Sequence, residues 1–224
     1  MKRSLIFTVA VLILFGSITL TKTRITEIRG TEPKPQSMAY LPGSEKVRPL
    51  LLGYHNTYAH YLWIRTVIYF GSNLITGQRF PWLIQMIDII TRLHPHFYPA
   101  YEFAGHLVPA YSDNPDAARV ILERGMIHLG DTRWNIPFIL GMHYYRYHDD
   151  YETAARFFSI ASGIPGAPSE RLGTLAATFF HRSGRDSEGL ELLYFLYETS
   201  ENPSVRQHLL KKIEELLEQK YSYK

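Results

Sequence analysis

The sequence predicts an all-α fold in which paired antiparallel helices stack side by side into a curved solenoid. Three observations indicate this fold. A segment of about 35 residues recurs between Ile64 and Pro203, each copy holds two apolar stripes of helical spacing, and a polar turn separates the stripes. Because each unit of such an array buries its apolar faces on its neighbours, the pattern predicts a one-dimensional stack of helix pairs.

The two middle copies define the repeated unit most clearly. Phe103-Ala104-Gly105 aligns with Ile139-Leu140-Gly141 when position 105 is laid on position 141. The same offset pairs Ala118 with Ala154, Leu122 with Phe158, and Gly125 with Ala161. So many coincidences at one offset are hard to obtain by chance, and they indicate a repeat rather than a general apolar bias.

Looser copies lie on either side of the middle two. Upstream, Gly71 is followed by a second apolar stretch that opens at Pro81. Downstream, Ala177 precedes a polar turn at residues 183–186, and Gly189 starts the second stripe of that copy. The chain therefore predicts four helix pairs, separated by Pro, Gly and polar residues.

This pattern resembles the tetratricopeptide repeat, a helix-turn-helix unit of 34 residues with a small residue in each helix and a Pro at its end. The resemblance covers roughly 140 of the 224 residues, and Leu83 departs from it by being large where a small residue is expected. It implies a right-handed α-solenoid that binds proteins, with small residues where paired helices cross closely. The implied crossing positions are Gly71, Gly105, Ala118, Gly141, Ala154, Ala177 and Gly189.

Residues 1–24 predict a membrane anchor or a signal peptide. Lys2 and Arg3 precede an uncharged apolar run from Ser4 to Leu20, which is short for a transmembrane helix and long for the core of a signal peptide. Thr19-Leu20-Thr21 is a poor cleavage site, which favours an uncleaved single-pass anchor in the inner membrane over secretion to the periplasm after cleavage. The basic N-terminus predicts that the body lies in the periplasm or otherwise outside the cytoplasm.

Three further regions follow the anchor. Residues 25–49 are rich in Pro among polar residues and predict an extended stalk. The repeat domain is expected over residues 50–203. Three of its stretches, Leu50 to Trp63, Leu93 to Phe97 and Ile164 to Pro168, together look like a group of membrane-anchored bacterial repeat proteins of unassigned role. Residues 204–224 predict a capping helix and tail with one apolar stripe, formed by Val205, Leu209, Ile213, Leu216 and Leu217.

The net charge of +3 does not indicate nucleic-acid binding, because the basic excess lies outside the repeats. Residues 1–48 hold eight Lys or Arg against three Asp or Glu, whereas the rest of the chain holds 16 against 18. A slightly acidic body lacks the basic surface that binding to phosphates requires. The absence of Cys excludes disulfides, thiolate metal sites and a Cys nucleophile.

The sequence carries no motif typical of an enzyme, a cofactor site or a metal site. It lacks HExxH, GxSxG and the glycine-rich loops that bind phosphates and dinucleotides. His143 and His148 are five positions apart, as are His55 and His60, so neither pair has the i, i+4 spacing that places two imidazoles on one helical face. We therefore expect a non-enzymatic protein without metal or cofactor.

The resemblance implies that partner contacts lie on the concave face, which the first helix of each pair lines. We call the predicted contact residues the groove set: Arg65, Glu102, His106, Phe138, Met142, Tyr145, Arg146, Arg171, Thr178, His181 and Arg182. Tyr, Met and Arg are favoured at recognition surfaces. The predicted function is a membrane-tethered scaffold or adaptor that binds an envelope protein or a subunit of a membrane complex.

Two alternatives stay open at this point. In the first, the array is a permanent accessory subunit of a larger membrane complex and uses its anchor helix as an interface. In the second, which is less favoured, aromatic helices hold a small hydrophobic ligand or haem.

Overall fold

A computed structural model describes Ser17 and residues 43–77, 79–112 and 114–222 of the chain. The predicted anchor, apart from Ser17, and the predicted stalk up to residue 42 lie outside the described residues. In the described part, none of the helices combines the length and the apolar character that crossing a bilayer demands. The body described below belongs to one compact unit, Pro42–Lys224.

The described residues of this unit form helices and no strands. A short helix, Ser44–Val47, and a 3-10 turn, Arg48–Leu51, precede nine longer helices. In chain order these are α1 His55–Thr76, α2 Leu83–Leu93, α3 Tyr98–Tyr111, α4 Asp116–Leu129, α5 Asn135–His148, α6 Tyr151–Ser162, α7 Ser169–Arg182, α8 Asp186–Thr199 and α9 Pro203–Ser222. They match the four predicted helix pairs and the predicted C-terminal helix.

Local chemistry explains where several of these helices begin and end. Pro99 occupies the first turn of α3, where its missing N–H costs nothing. The Asp150 side chain accepts a hydrogen bond from the backbone N–H of Thr153 and so caps the start of α6. Gly77 ends α1 in the left-handed region with φ 66°, a conformation that strains residues with a Cβ.

Each helix packs mainly on the helices next to it in sequence, an arrangement consistent with a helical solenoid. The pairs α1–α2, α3–α4, α5–α6 and α7–α8 form the units, and α2–α3, α4–α5 and α6–α7 join one unit to the next. The C-terminal helix α9 packs on α8 and α7. At the other end, Ser44–Val47 contacts α2 and Val47 is buried, so the folded body includes residues assigned by sequence to the stalk.

Small residues allow close helix approach in the middle and last units. A Cβ on Gly141 would lie 2.8 Å from the ring of Phe158 and 3.1 Å from the carbonyl oxygen of Ala154. A Cβ on Gly189 would lie 3.0 Å from the carbonyl oxygen of Ala177, and one on Gly105 would clash with Ile139 of α5. The three alanines of the predicted crossing set, Ala118, Ala154 and Ala177, are fully buried.

The first unit differs from the others at its predicted crossing residue. Gly71 is half-exposed, and apart from the adjacent backbone of its own helix no described atom lies within 4 Å of the position that a Cβ would take. In α2, the position where the repeat pattern expects a small residue holds Leu83, which is fully buried. The first pair therefore packs without the close contact that the other glycines permit.

Candidate functional site

The most unusual surface of the described body is an exposed apolar face on α1. Tyr61, Ile64, Ile68 and Ile75, which we call the α1 stripe, point away from the rest of the fold. The exposed fraction is 59% for Ile68 and 87% for Ile75. Their spacings of three, four and seven positions place them on one side of a helix.

The opposite side of α1 forms the buried interface with the array. It is made of Ala59, Leu62, Thr66, Tyr69 and Asn73. The Thr66 hydroxyl donates to the carbonyl oxygen of Leu62, and the Asn73 amide donates to that of Arg79, so the buried polar groups of this face are satisfied. Since α1 is apolar on both sides, burial against the array explains only half of its apolar residues.

Further exposed apolar side chains surround the stripe. Val67 and Leu74 lie beside it on α1, and Leu50, Leu52 and Tyr54 precede the helix. Arg65, a member of the predicted groove set, is exposed one helical turn after Tyr61 and so borders the stripe. An exposed apolar strip with a polar edge is typical of a surface that binds a protein or a membrane.

The aromatic and Met members of the groove set take part in packing between helices. Phe138, Met142 and Tyr145 are half-buried and pack against a core cluster that includes Phe158 and Phe179. The ring centroid of Tyr145 lies 4.9 Å from that of Phe179 in an edge-on contact. These three side chains join α5 to α6 and α7, so they hold the array together whether or not a partner also touches them.

The remaining members of the groove set divide into exposed and bonded side chains. Arg65, His106, Arg146, Arg171 and Arg182 are exposed. Three others are half-buried and have local partners: Glu102 accepts from the Tyr98 hydroxyl at 2.7 Å, Thr178 donates to the Thr174 carbonyl oxygen at 2.8 Å, and His181 Nδ1 lies 2.6 Å from the Asp186 carboxylate. The Arg182 guanidinium lies over the rings of Phe179 and Tyr151.

A cleft of about 520 Å³ lies between α6, α7, α8 and α9. Its lining mixes Leu and Phe side chains with Ser, Thr and one carboxylate, that of Glu170. None of its described lining residues is a His, Met, Cys or Tyr, the residue types that ligate haem iron. The cleft therefore gives no support to the haem alternative.

A third feature is a group of two imidazoles and one carboxylate. Asp116 begins α4, while His143 and His148 lie near the C-terminal end of α5. One ligand atom from each residue lies within 4.8 Å of the other two. His148 Nε2 is 3.0 Å and His143 Nε2 is 4.0 Å from the same Asp116 oxygen, Oδ1.

His143 is the buried member of this group, with 3% of its surface exposed. Burial lowers the pKa of His143 below its ordinary value, and the nearby His148 imidazole lowers it further. Neither ring nitrogen of His143 has a hydrogen-bond partner within the described part of the chain. Its ring centroid lies 4.9 Å from that of Tyr147 in a tilted contact.

The spacing of His residues within one helix does not reveal this group. His143 and His148 fail the i, i+4 rule, yet their ring centroids lie 5.5 Å apart. The third residue comes from the preceding helix, across the interface that joins two units. No local pattern contains that information; only the packing of α4 on α5 supplies it.

Comparison of the chain with protein-family models, with curated proteins and with solved structures found no match.

Proposed function

We propose that this protein is a membrane-tethered helical-repeat scaffold, a right-handed tetratricopeptide-like solenoid, that binds a protein partner and is not an enzyme. The observation that supports the proposal is the α1 stripe. Exposed isoleucines at Ile64, Ile68 and Ile75 leave apolar surface in water, at a cost of about 25 cal/mol per Å² that a partner would remove. A contiguous apolar face on the first helix of an array is therefore a docking surface.

The partner that fits this surface is an apolar helix. The stripe is straight and runs along α1 from Tyr61 to Ile75, about 21 Å at 1.5 Å per residue, which is the length of a four-turn helix. A second helix that lies along it reproduces the side-by-side packing of the array itself. Because α1 is the first long helix after the predicted anchor and stalk, the favoured occupant is a helix of an envelope protein or of a membrane-complex subunit.

The exposed arginines of the groove set have a secondary role in this proposal. Arg65 borders the stripe, and Arg146, Arg171 and Arg182 are exposed on α5 and α7. Rim charges change the rate and orientation of association more than its affinity. We therefore expect the stripe to supply affinity and the arginines to orient an acidic segment of the partner.

The direct test compares Ile68→Glu with a matched control, Ile127→Glu. Both isoleucines are exposed, the second at 79% on α4, so each variant places the same charge on a solvated helix. A photo-crosslinking residue replaces Ile75 in the full chain in cells of its source, and crosslinked peptides are identified by mass spectrometry. We expect crosslinks to one apolar helix of an envelope or membrane protein, reduced at least about 10-fold by Ile68→Glu and unchanged by Ile127→Glu.

Three results would contradict the proposal. Equal loss of crosslinking in both variants would show a general solubility effect rather than a binding face. Crosslinks only between copies of this chain would make the stripe a self-association surface. Flotation of the purified body with protein-free vesicles, abolished by Ile68→Glu, would make it a lipid-binding face.

The extent of the exposed apolar surface also favours the alternative of a permanent accessory subunit. Obligate interfaces are more apolar than transient ones, and an isoleucine as exposed as Ile75 is better suited to lasting burial. The two roles differ in stoichiometry: a permanent subunit is recovered in a fixed ratio with its complex, and replacing residues 4–20 by an unrelated apolar span disrupts that recovery. A transient adaptor is substoichiometric and tolerates the replacement.

A further inference from the structure

The group formed by Asp116, His143 and His148 lies at the interface between the second and third helix pairs. We call these three residues the α4–α5 triad. They lie apart from the α1 stripe, and the inference below does not depend on the proposed function.

His143 gives the triad its significance. A neutral imidazole carries one N–H donor and one acceptor nitrogen, and buried polar atoms are almost always paired. Both nitrogens of His143 are shut off from solvent and lack a hydrogen-bond partner among the described residues. Its Nε2 is 4.0 Å from Oδ1 of Asp116, too far for a hydrogen bond but close enough for one ion to contact both atoms.

We propose that Asp116, His143 and His148 bind one divalent transition-metal ion, with Zn²⁺ as the ion that best suits the ligand types. Two imidazoles and a carboxylate are ligands of Zn²⁺ and related ions, whereas Mg²⁺ and Ca²⁺ take oxygen ligands almost exclusively. Three ligands from the protein leave the fourth tetrahedral position for water or for a donor from a partner.

The observed distances allow such a site once the ligands shift, since the three ligand atoms all lie within 4.8 Å of one another. Bonds of about 2.0–2.1 Å to a tetrahedral ion place its ligands about 3.3 Å apart. The two distances to Asp116 Oδ1 are 3.0 Å and 4.0 Å, which bracket that value. Asp116 is exposed and His148 lies near the solvent-exposed end of α5, so both can adjust around the buried His143.

Neighbouring charges shape the site as well. Arg119 Nε lies 3.5 Å from Asp116 Oδ1, and Arg119 Nη1 is 2.7 Å from the Glu123 carboxylate. An incoming cation competes with Arg119 for Asp116, and Glu123 provides the position to which the guanidinium can withdraw. His148 lies in the last turn of α5, where the helix C-terminus favours a cation.

The test measures metal binding by the full chain, purified in detergent through a tag without His and stripped with EDTA. Co²⁺, whose visible d–d bands report tetrahedral nitrogen and oxygen ligands, is titrated first, and Zn²⁺ is then used to displace it. We expect one ion per chain and tighter binding of Zn²⁺ than of Co²⁺, because a tetrahedral site of nitrogen and oxygen ligands suits Zn²⁺. Asp116→Asn and His148→Gln change surface residues, so they should leave the fold intact.

Each of these variants should weaken Zn²⁺ binding at least about 100-fold. Loss of a residue that only hydrogen-bonds to a ligand lowers metal affinity by roughly 10- to 100-fold, so a larger loss indicates a direct ligand. The matched control is the double variant His96→Gln/His128→Gln. Its two rings also lie 5.5 Å apart, but they are not part of the metal-ligand group. We expect this control to bind like the unmodified chain.

Equal affinity in the unmodified chain and in both triad variants would overturn the proposal. So would a loss of affinity in the His96/His128 control as large as that in the triad variants, because the binding would then reflect scattered surface imidazoles. A second readout is the imidazole ¹⁵N spectrum, in which Zn²⁺ should shift the Nε2 signal of His143; an unshifted His143 signal at saturating Zn²⁺ would also refute the site.

Discussion

The two terminal helices of the described body differ in the face they turn to solvent. Both are long, 22 residues for α1 and 20 for α9, and each packs one face on the array. The outer face of α9 is charged and polar, with Arg206, Gln207, Lys211, Glu214 and Glu218 exposed. The outer face of α1 carries the isoleucines and the tyrosine of the α1 stripe.

Within the described residues, the array therefore ends in a polar outer face on one side and in an apolar outer face on the other. A repeat array needs a helix with a polar outer face wherever it meets water, and α9 has that character. The buried residues of α9, Leu209, Ile213 and Leu216, cover Leu193 and Leu196 of α8. The apolar outer face of α1 lacks such a cover among the described residues, which is why we assign it to a partner.

The largest effect that tests this comparison is expected from a matched pair of substitutions. Ile213→Glu places a charge at a position that is 3% exposed in α9, and we expect a loss of about 4 kcal/mol or more in the free energy of unfolding. Ile68→Glu, on the open face of α1, should change it by no more than about 0.5 kcal/mol. Urea denaturation followed by circular dichroism gives both values.

The comparison fails if the two variants lose similar stability. A large loss from Ile68→Glu would mean that the outer face of α1 is covered within the chain itself, and the docking surface would have to be abandoned. A small loss from Ile213→Glu would mean that α9 is not a necessary cap.

A second pair of substitutions compares a middle unit with the first unit. Gly141→Ala introduces a Cβ 2.8 Å from the ring of the fully buried Phe158, and such overpacking costs about 1–3 kcal/mol. Gly71→Ala meets open space within α1, so the better helix propensity of Ala should stabilise the protein by about 0.5–1 kcal/mol. Thermal unfolding of both variants should give shifts of opposite sign.

Shifts of the melting temperature with the same sign in both variants would contradict the difference in packing between the first and the middle units. If Gly71→Ala destabilised the protein as Gly141→Ala does, Gly71 would be a close crossing residue like the other glycines. The first unit would then pack like the others.

The smallest expected effect is a dependence of the unfolding free energy on pH that arises from His94, which follows α2 and lies beside α1. Burial lowers the pKa of His94 below its ordinary value of 6.5, and the nearby His60 and His96 lower it further. The unfolded chain therefore takes up a proton at a pH where folded His94 stays neutral, so stability is lost as the pH falls below about 6.5 and levels off below the folded pKa. His94→Phe should reduce the slope of unfolding free energy against pH between about 7.5 and 5.5.

Urea titrations of the unmodified chain and of His94→Phe across that pH range give the two slopes. An unchanged slope in the variant would assign the acid sensitivity to other residues. His60 would be examined next, because its ring lies 5.1 Å from that of His94.

Much of the fold followed from local patterns. The i, i+3 and i+4 spacing of apolar residues gave the helices and their order, and the apolar stripe of α9 gave the cap, because these properties depend on residues one turn apart. Small residues at Gly105, Gly141 and Gly189 marked positions where a Cβ would meet a neighbouring helix. Local patterns predict surface exposure less well, since an apolar residue on a helix can face either a neighbouring helix or solvent.

Phe138 and Ile68 illustrate that limit. The resemblance to the tetratricopeptide repeat assigns Phe138 to a partner groove, and periodicity marks Ile68 only as an apolar residue of a helix. In the structure Phe138 is half-buried against neighbouring helices and Ile68 is exposed. Gly71 is a further example, because it matches the repeat pattern although the two helices of the first pair do not approach closely there. In each case the outcome depends on which helices lie next to the residue.

The sequence by itself determined that this protein is a series of paired helices with a polar-backed helix at its C-terminal end, because turn residues and helical periodicity are properties of short stretches of chain. Only the tertiary structure decided which apolar faces stay exposed and which polar groups meet. Asp116, His143 and His148 come together because α4 packs on α5, and the α1 stripe is open because no described helix packs on that side. Proximity between helices is set by how side chains fill the space between them, and that is a property of the whole array.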